Sequence, residues 1–339
     1  MQFHKDISLK SHNTFGLEAK TKLFTEVNSI VELQETLKTE EAQANPLLIL
    51  GGGSNILLTQ DFDGLTIKNT ITGKSIIKET DDYVLVKVGA GEAWHDFVTY
   101  AIEQNWGGTE NLSLIPGTVG AAPMQNIGAY GIELKEIFES LEAVNIETGE
   151  IETFNQDQCQ FGYRESIFKK NLKGKYIIAH VTFRLTRKDH QLHIEYGAIK
   201  STLEELKIKS PTIEDISNAV ISIRKSKLPD PKEIGNSGSF FKNPTITKIS
   251  FESLKVDHPE IPGYELPNNE VKVPAGWLIE KAGWKGYTNG NIGVHKKQAL
   301  VLVNYGGGKG KDIWALAEEI QASVMKKFGI ELHPEVNII

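Results

Sequence analysis

The sequence predicts an α+β protein of two or three subdomains. Three observations lead there: a helix, strand and glycine-loop unit near the N-terminus, a middle rich in hairpin-type strands, and a proline pair followed by a second mixture of short helices and strands. The length of 339 residues points the same way, because single hydrophobic cores stop growing at roughly 250–300 residues. No uncharged apolar run approaches the roughly 18–20 residues of a membrane helix, so a soluble chain without a membrane partner is expected. Residues 1–10 carry no apolar run behind their charges, so they do not read as a secretory signal and a cytoplasmic location is expected.

The first unit begins at 28–37, where Ser29 is followed three residues later by Glu32, a capping-box spacing, and Ile30, Leu33 and Leu37 share one helical face. Next comes the apolar run 47–50, a buried strand, ending in Gly51-Gly52-Gly53-Ser54-Asn55. Residues 83–88 alternate as a strand does, and a helix is expected over 94–104. A long loop then fills 107–131. Strands return at 141–146 and 151–154, joined by a short Gly-containing turn, and again at 176–185. A helix over 213–225 stops before Leu228-Pro229-Asp230-Pro231, where two prolines bar its continuation and mark a domain boundary. Beyond it, strands near Val271 and at 299–303 and helices near Trp277 and over 312–328 form a smaller α+β domain.

The charge balance excludes some functions. With 37 basic against 44 acidic side chains the net charge is −7, which argues against a nucleic-acid partner. One cysteine, Cys159, permits neither an intrachain disulfide nor a thiolate cage, so redox chemistry requires a bound cofactor. Cys159 lies in a polar stretch without a nearby histidine and reads as structural. The histidines, among them His95, His180 and His333, show no metal-ligand spacing, and no metal is expected; His333 reads as a packing residue or as one that supports a site residue from behind.

The glycine loops are the chemical signal. Three glycines after a buried strand expose backbone N–H groups with no Cβ in the way, which suits close approach to a phosphate, yet GGGSN is neither GxGxxG nor a Walker loop. The run from Pro116 to Gly131 is longer and less polar than an ordinary connector, and its small residues around Gln125 and Asn126 suit a flat ring and a pyrophosphate. A late Gly306-Gly307-Gly308-Lys309-Gly310 stretch resembles a phosphate loop only superficially. Its Asp312 is read as the N-cap of the last helix.

Five segments in chain order, LGGGSN at 50–55, IPGTVGAAPMQNIGAYG at 115–131, FGYRES at 161–166, GSFFKNP at 238–244 and LHPEV at 332–336, resemble the UDP-N-acetylenolpyruvoylglucosamine reductase family. The resemblance implies noncovalent FAD in two subdomains of the vanillyl-alcohol-oxidase type, at 1–70 and 71–225. It also implies an α+β substrate-binding domain at 226–330, with 331–339 returning near the active site. Cofactor contacts would fall on Gly51, Gly52, Gly53, Ser54, Asn55, Pro116, Gly117, Gly120, Gln125, Asn126 and Gly128. Ala121 and Ala122 stand where some relatives carry hydroxyls, which alters one flavin contact. Tyr196-Gly197 resembles the longer subtype, whose tyrosine loop covers the substrate.

The implied reaction uses NADPH as cosubstrate to reduce UDP-N-acetylglucosamine enolpyruvate to UDP-N-acetylmuramate, a step of peptidoglycan synthesis and so of wall growth, cell shape and division. Side chains cannot transfer hydride, so the cofactor carries it while the protein positions and polarises. By resemblance Arg164 meets the substrate carboxylate, Glu335 polarises from another side and Ser239 donates the proton. Arg224, Lys227 and Lys285 match positions that meet phosphates, and Tyr196, Asn243 and Gln298 positions that hold the sugar nucleotide. Taken singly these are ordinary residues: a solvated lysine, an exposed loop aromatic, a glutamine capping a turn. A flavin oxidase of the same fold is the nearest rival, but such enzymes often attach flavin to a histidine near the first glycine loop, and none stands beside residues 51–55. A regulatory binding module would not need Arg164, Ser239 and Glu335 together. No long apolar stripe marks the expected helices, so a monomer is expected.

Overall fold

The computed structural model describes residues 2–339 and divides them into two compact units that do not follow chain order. One comprises the N-terminal residues up to Ile7, Thr21–Gly52 and Asp63–Ser226. The other comprises Ser8–Lys20, Gly53–Phe62 and Lys227–Ile339.

In the first unit a four-stranded sheet runs His4–Ser8, Lys20–Val27, Phe62–Asn69, Leu47–Leu50, with the last pair parallel from Leu47 opposite Leu65 to Leu50 opposite Lys68. The helix Ile30–Leu37 starts as expected: Ser29 Oγ accepts the Glu32 N–H at 3.1 Å. The return arm differs by one residue, since Glu32 accepts from the N–H of Asn28. Leu33 and Leu37 bury against Leu23, Val27, Leu65 and Ile67.

A five-stranded antiparallel sheet follows, ordered Ile151–Asn155, Phe138–Asn145, Tyr176–Thr186, Tyr83–Gly89, Lys74–Glu79. The hairpin read at residues 141–154 is present, and Asn145 fixes its turn by accepting the N–H groups of Glu147 and Thr148. The helix Trp94–Glu103 covers this sheet through Trp94, Phe97 and Phe183, whose rings meet 4.8–5.9 Å apart. The edge strand Lys74–Glu79 went unread because both faces are exposed and its pattern does not alternate. Its lysines and a register shift between Ile76 and Lys78 blunt it against further pairing. A helix at Gly197–Glu205, also unread, buries Ile199 and Leu203 against Ile216, Val220 and Ile223 of the helix Ile213–Lys227.

The second unit holds a four-stranded sheet (Gly235–Asn236, Leu302–Asn304, Ile292–Val294, Thr288–Asn289) and a three-stranded one (Thr245–Thr247, Glu270–Lys272, Tyr264–Leu266). The helices Lys248–Asp257, Ala275–Lys281 and Gly310–Phe328 accompany them, over a core that includes Phe240, Phe241, Leu278, Ile313 and Ile320. The short strand Asn337–Ile338 pairs in parallel with Ile56–Leu57. The expectation for Asp312 is corrected: Lys309 occupies the N-cap, without a side-chain bond. The helix must start at Gly310, where a Cβ would collide with the Leu58 carbonyl, so Asp312 falls inside the first turn and meets the helix dipole there. Among the described residues no helix is long and apolar enough to cross a membrane.

Cys159 is fully buried, and that burial pushes its thiol up to about 12. A thiol reagent at mildly alkaline pH should therefore leave the native protein unlabelled and modify the thiol once denaturant is added. Labelling of the native chain at the rate of a free thiol would contradict the packing around this residue.

Candidate active site

The first unit contains a cavity of about 420 Å³, within the size range of small-molecule sites. Leu47, Ile49, Met124 and Ile178 give it apolar walls, while Gly51, Asn69, Thr118 and Gly120 bring backbone and amide groups to its lining. Glycine is obligatory around it. A Cβ on Gly51 would sit 2.5 Å from Thr118 Oγ1, one on Gly52 would sit 2.8 Å from the Gly117 Cα, and one on Gly120 would sit 2.5 Å from the Ala90 Cβ. The two glycine loops thus meet backbone to backbone at Gly52 and Gly117, with the Thr118 hydroxyl against Gly51.

Main-chain bonds stitch the second loop to the strand-to-helix turn before it: Gly120 N to Ala90 O, Val119 N to Glu92 O and Trp94 N to Gly117 O. Lys68 reaches the Gly51 carbonyl, and burial lowers its pKa. Apolar walls with glycine backbone in the lining fit a flat ring and a pyrophosphate, so the residues present suit FAD.

The remaining cofactor candidates divide. Pro116 is exposed, and Gln125 lies half-buried in the turn Pro123–Gln125. Asn126 is fully buried in the left-handed region (φ 44°), and its side chain is committed internally. It donates to Glu133 Oε2 at 3.0 Å and Gly162 O at 3.1 Å and accepts from Lys135 N, so this amide fixes the loop. Gly53, Ser54 and Asn55 belong to the second unit, where Gly53 (φ 63°) closes on the His12 carbonyl and Asn55 Nδ2 donates to Glu335 O at 3.2 Å.

Gly128 is where the loop meets Arg164. The Arg164 Nη2 donates to the Gly128 carbonyl at 2.6 Å, and its guanidinium lies over the Tyr163 ring. Arg164 itself has φ 54° within a turn closed by paired bonds between Gly162 and Glu165, a costly conformation for a long side chain that only a strong local constraint holds. Ser166 anchors the motif by donating to the Met124 carbonyl at 2.7 Å.

Arg224, on the Ile213–Lys227 helix, is brought into the same unit and close enough to Arg164 for the two charges to repel. Burial pulls its pKa down. Its Nε donates to the Leu114 carbonyl at 3.2 Å, and its guanidinium meets the Tyr130 phenol. Leu114 N in turn donates to His95 Nδ1, so that imidazole is an acceptor there, and burial lowers its pKa too. Tyr196 is half exposed, with its ring edge-on to Tyr130 at 5.3 Å.

Ser239 and Glu335 come together in the second unit. Ser239 is exposed, and the next residue, Phe240, accepts the Glu335 N–H at 2.8 Å beside a bridge between Phe241 and Pro334. Asn243 Oδ1 accepts the Ala275 N–H and so starts the Ala275–Lys281 helix, which leaves its Nδ2 for other uses. Gln298 caps its own turn through Oε1 to Leu300 N. Lys285 pairs with Glu280 at 3.0 Å, and Lys227 is exposed. His333 is not a packing residue: its side chain is solvent-exposed and lies 3.8 Å from Glu331, and its carbonyl accepts the Lys242 N–H. Tyr130 and His95 were not singled out as site residues, since a loop tyrosine and a helix histidine look ordinary until folding brings Tyr130 to Arg224 and both His95 and Arg224 to Leu114.

Comparison with known proteins adds an independent line. Residues 230–339 match the family model for the UDP-N-acetylenolpyruvoylglucosamine reductase C-terminal domain, and residues 21–155 match that for an FAD binding domain. The UDP-N-acetylenolpyruvoylglucosamine reductase of Flavobacterium johnsoniae is 54% identical over 100% of both chains, and that of Pseudomonas aeruginosa is 46% identical over 100% of this chain and 99% of its own. The crystal structure of the Thermus caldophilus enzyme of that name superposes with a TM-score of 0.69 at 22% identity, covering 100% of this chain and 99% of the other, a likeness of fold.

The close loop contact yields a test. Gly120→Ala should force the second loop off Ala90 and, at the usual cost of overpacking, weaken flavin retention by about tenfold or more. Flavin absorbance per chain after gel filtration reads it, and full retention would show that the cavity tolerates the shift.

Proposed function

The chain belongs to the UDP-N-acetylenolpyruvoylglucosamine reductase family, and from that premise we propose that it adds a hydride and a proton across the double bond of UDP-N-acetylglucosamine enolpyruvate. The product is UDP-N-acetylmuramate, for peptidoglycan precursor synthesis. Noncovalently bound FAD would supply the hydride, with NADPH as its source.

The protein's share is electrostatics and proton delivery. Hydride arriving at the terminal vinyl carbon leaves negative charge on the neighbouring carbon and its carboxylate. Arg164 offers a permanent cation whose planar fork matches that carboxylate. The observation that carries the reading is the pairing of the Ser239–Phe240 segment with Glu335, which puts a hydroxyl and a carboxyl on adjoining backbone. Ser239 gives its proton to the developing carbanion, a stronger base than the serine alkoxide this leaves, and the alkoxide regains a proton from solvent, to which Ser239 is exposed. Glu335 polarises the same centre.

Arg224, Lys227 and Lys285 neutralise the diphosphate of the sugar nucleotide and, in turn, the phosphates of NADPH; Lys285 exchanges Glu280 for that anion. The free amide groups of Asn243 and Gln298, with Tyr196, hold the sugar nucleotide. The reaction runs in the cytoplasm, where uridine sugar nucleotides are built, on a single chain.

Two measurements test this. Purified yellow protein should oxidise NADPH in step with added enolpyruvyl sugar nucleotide and, without it, only the one equivalent per chain that bleaches the flavin; flavin that NADPH bleaches but the sugar nucleotide never restores would rule out the substrate while leaving the fold. Ser239→Ala should keep NADPH-dependent bleaching and lose about two to four decades in the reoxidation step. A parallel loss in both half-reactions would make Ser239 a binding or structural residue.

A further inference from the structure

Tyr130 occupies a position where its own backbone is unfavourable. Gly128–Ala129 and Ile132–Glu133 pair as a hairpin with Ala129 opposite Ile132, leaving Tyr130-Gly131 as a two-residue turn. Both residues have positive φ, 50° and 87°, as a type I′ turn demands. Asn, Asp or Gly holds the first position of such a turn at least cost, and an aromatic residue there is strained. Strain of this kind persists where the side chain is needed.

The side chain has two partners, both candidates for binding the sugar nucleotide. Its phenol meets the Arg224 guanidinium, and its ring takes the edge of Tyr196 at 5.3 Å and 84°. Arg224 is a guanidinium without a countercharge: among the described residues no carboxylate pairs with it, its partners being the Leu114 carbonyl and this phenol, with Arg164 adding repulsion. A cation held only by neutral acceptors keeps its charge available for an incoming anion, provided that those acceptors aim it. The turn is fixed from below as well. Asn111, almost fully buried, gives one amide hydrogen to the Tyr130 carbonyl at 3.2 Å and the other to the His193 carbonyl at 2.9 Å. One buried amide therefore ties the Tyr130 turn to the segment that leads into Tyr196.

We propose that Tyr130 is a positioning residue for anion binding, its phenol aiming the Arg224 guanidinium and its ring seating Tyr196. The inference rests on the enolpyruvyl sugar nucleotide being the substrate, so wild-type turnover of that compound is established first and separately. Tyr130→Phe keeps the ring and the packing while removing the hydroxyl. It should raise KM for the sugar nucleotide about tenfold, in keeping with loss of a hydrogen bond to a charged group, leave kcat within about threefold, and leave flavin content and melting temperature unchanged. In a double-mutant cycle the Tyr130→Phe penalty should vanish on an Arg224→Lys background, because the phenol acts through that guanidinium. Should Arg224→Lys not fold, competitive inhibition supplies the check: Tyr130→Phe should weaken UDP as an inhibitor and leave uridine unaffected. An unchanged KM, a penalty that persists without Arg224, or equal loss of UDP and uridine would each overturn the proposal.

Discussion

The first unit depends on backbone meeting backbone at its two glycine loops. Gly51 and Gly52 face Thr118 and Gly117 at distances that admit no Cβ, and Gly120 faces Ala90 in the same way. Everything that bounds the cavity follows from that approach. The strand Leu47–Leu50 delivers the first loop from a parallel pairing, and the second loop is strapped to the turn after Tyr83–Gly89. The closeness that excludes side chains is the reason glycine stands at these positions.

Much of this was legible in the sequence. Periodicity gave the helix Ile30–Leu37, the hairpin strands, the helix Trp94–Glu103 and the stop at Pro229, because each is set by local pattern and capping. The exposed edge strand Lys74–Glu79 left no alternation to read, and the start of the last helix is fixed by a contact between Gly310 and Leu58 that no local rule contains. Among the candidate residues, motifs singled out Arg164, Ser239 and Glu335, and the glycines were marked for close approach. The motifs could not show that Asn126 spends its side chain inside its own loop, or that Arg224 is held by Tyr130 and Leu114. Those facts come from segments that meet only after folding.

The electrostatics are arranged against the bulk of the molecule. A chain with net charge −7 keeps two guanidiniums near each other in one unit, Arg164 against the Gly128 carbonyl and Arg224 against Leu114 and Tyr130. Carbonyl and phenol oxygens orient a cation without cancelling it, and desolvation strengthens its pull on an anion. The acidic remainder supports solubility and imposes no attraction to polyanions such as nucleic acid.

The pairing of Asn337–Ile338 with Ile56–Leu57 also governs the order of events during synthesis. Ile56–Leu57 leaves the ribosome early, directly behind the first glycine loop, and has no partner strand until nearly all the intervening chain has been translated. Phe240 must likewise wait for Glu335. The first unit draws all of its sequence from before Lys227 and can condense while translation continues. The second unit, with the Ser239 and Glu335 segments, can close only afterwards, so a ribosome that stalls late would release a chain with a formed first unit and an unassembled pairing of Ser239–Phe240 with Glu335.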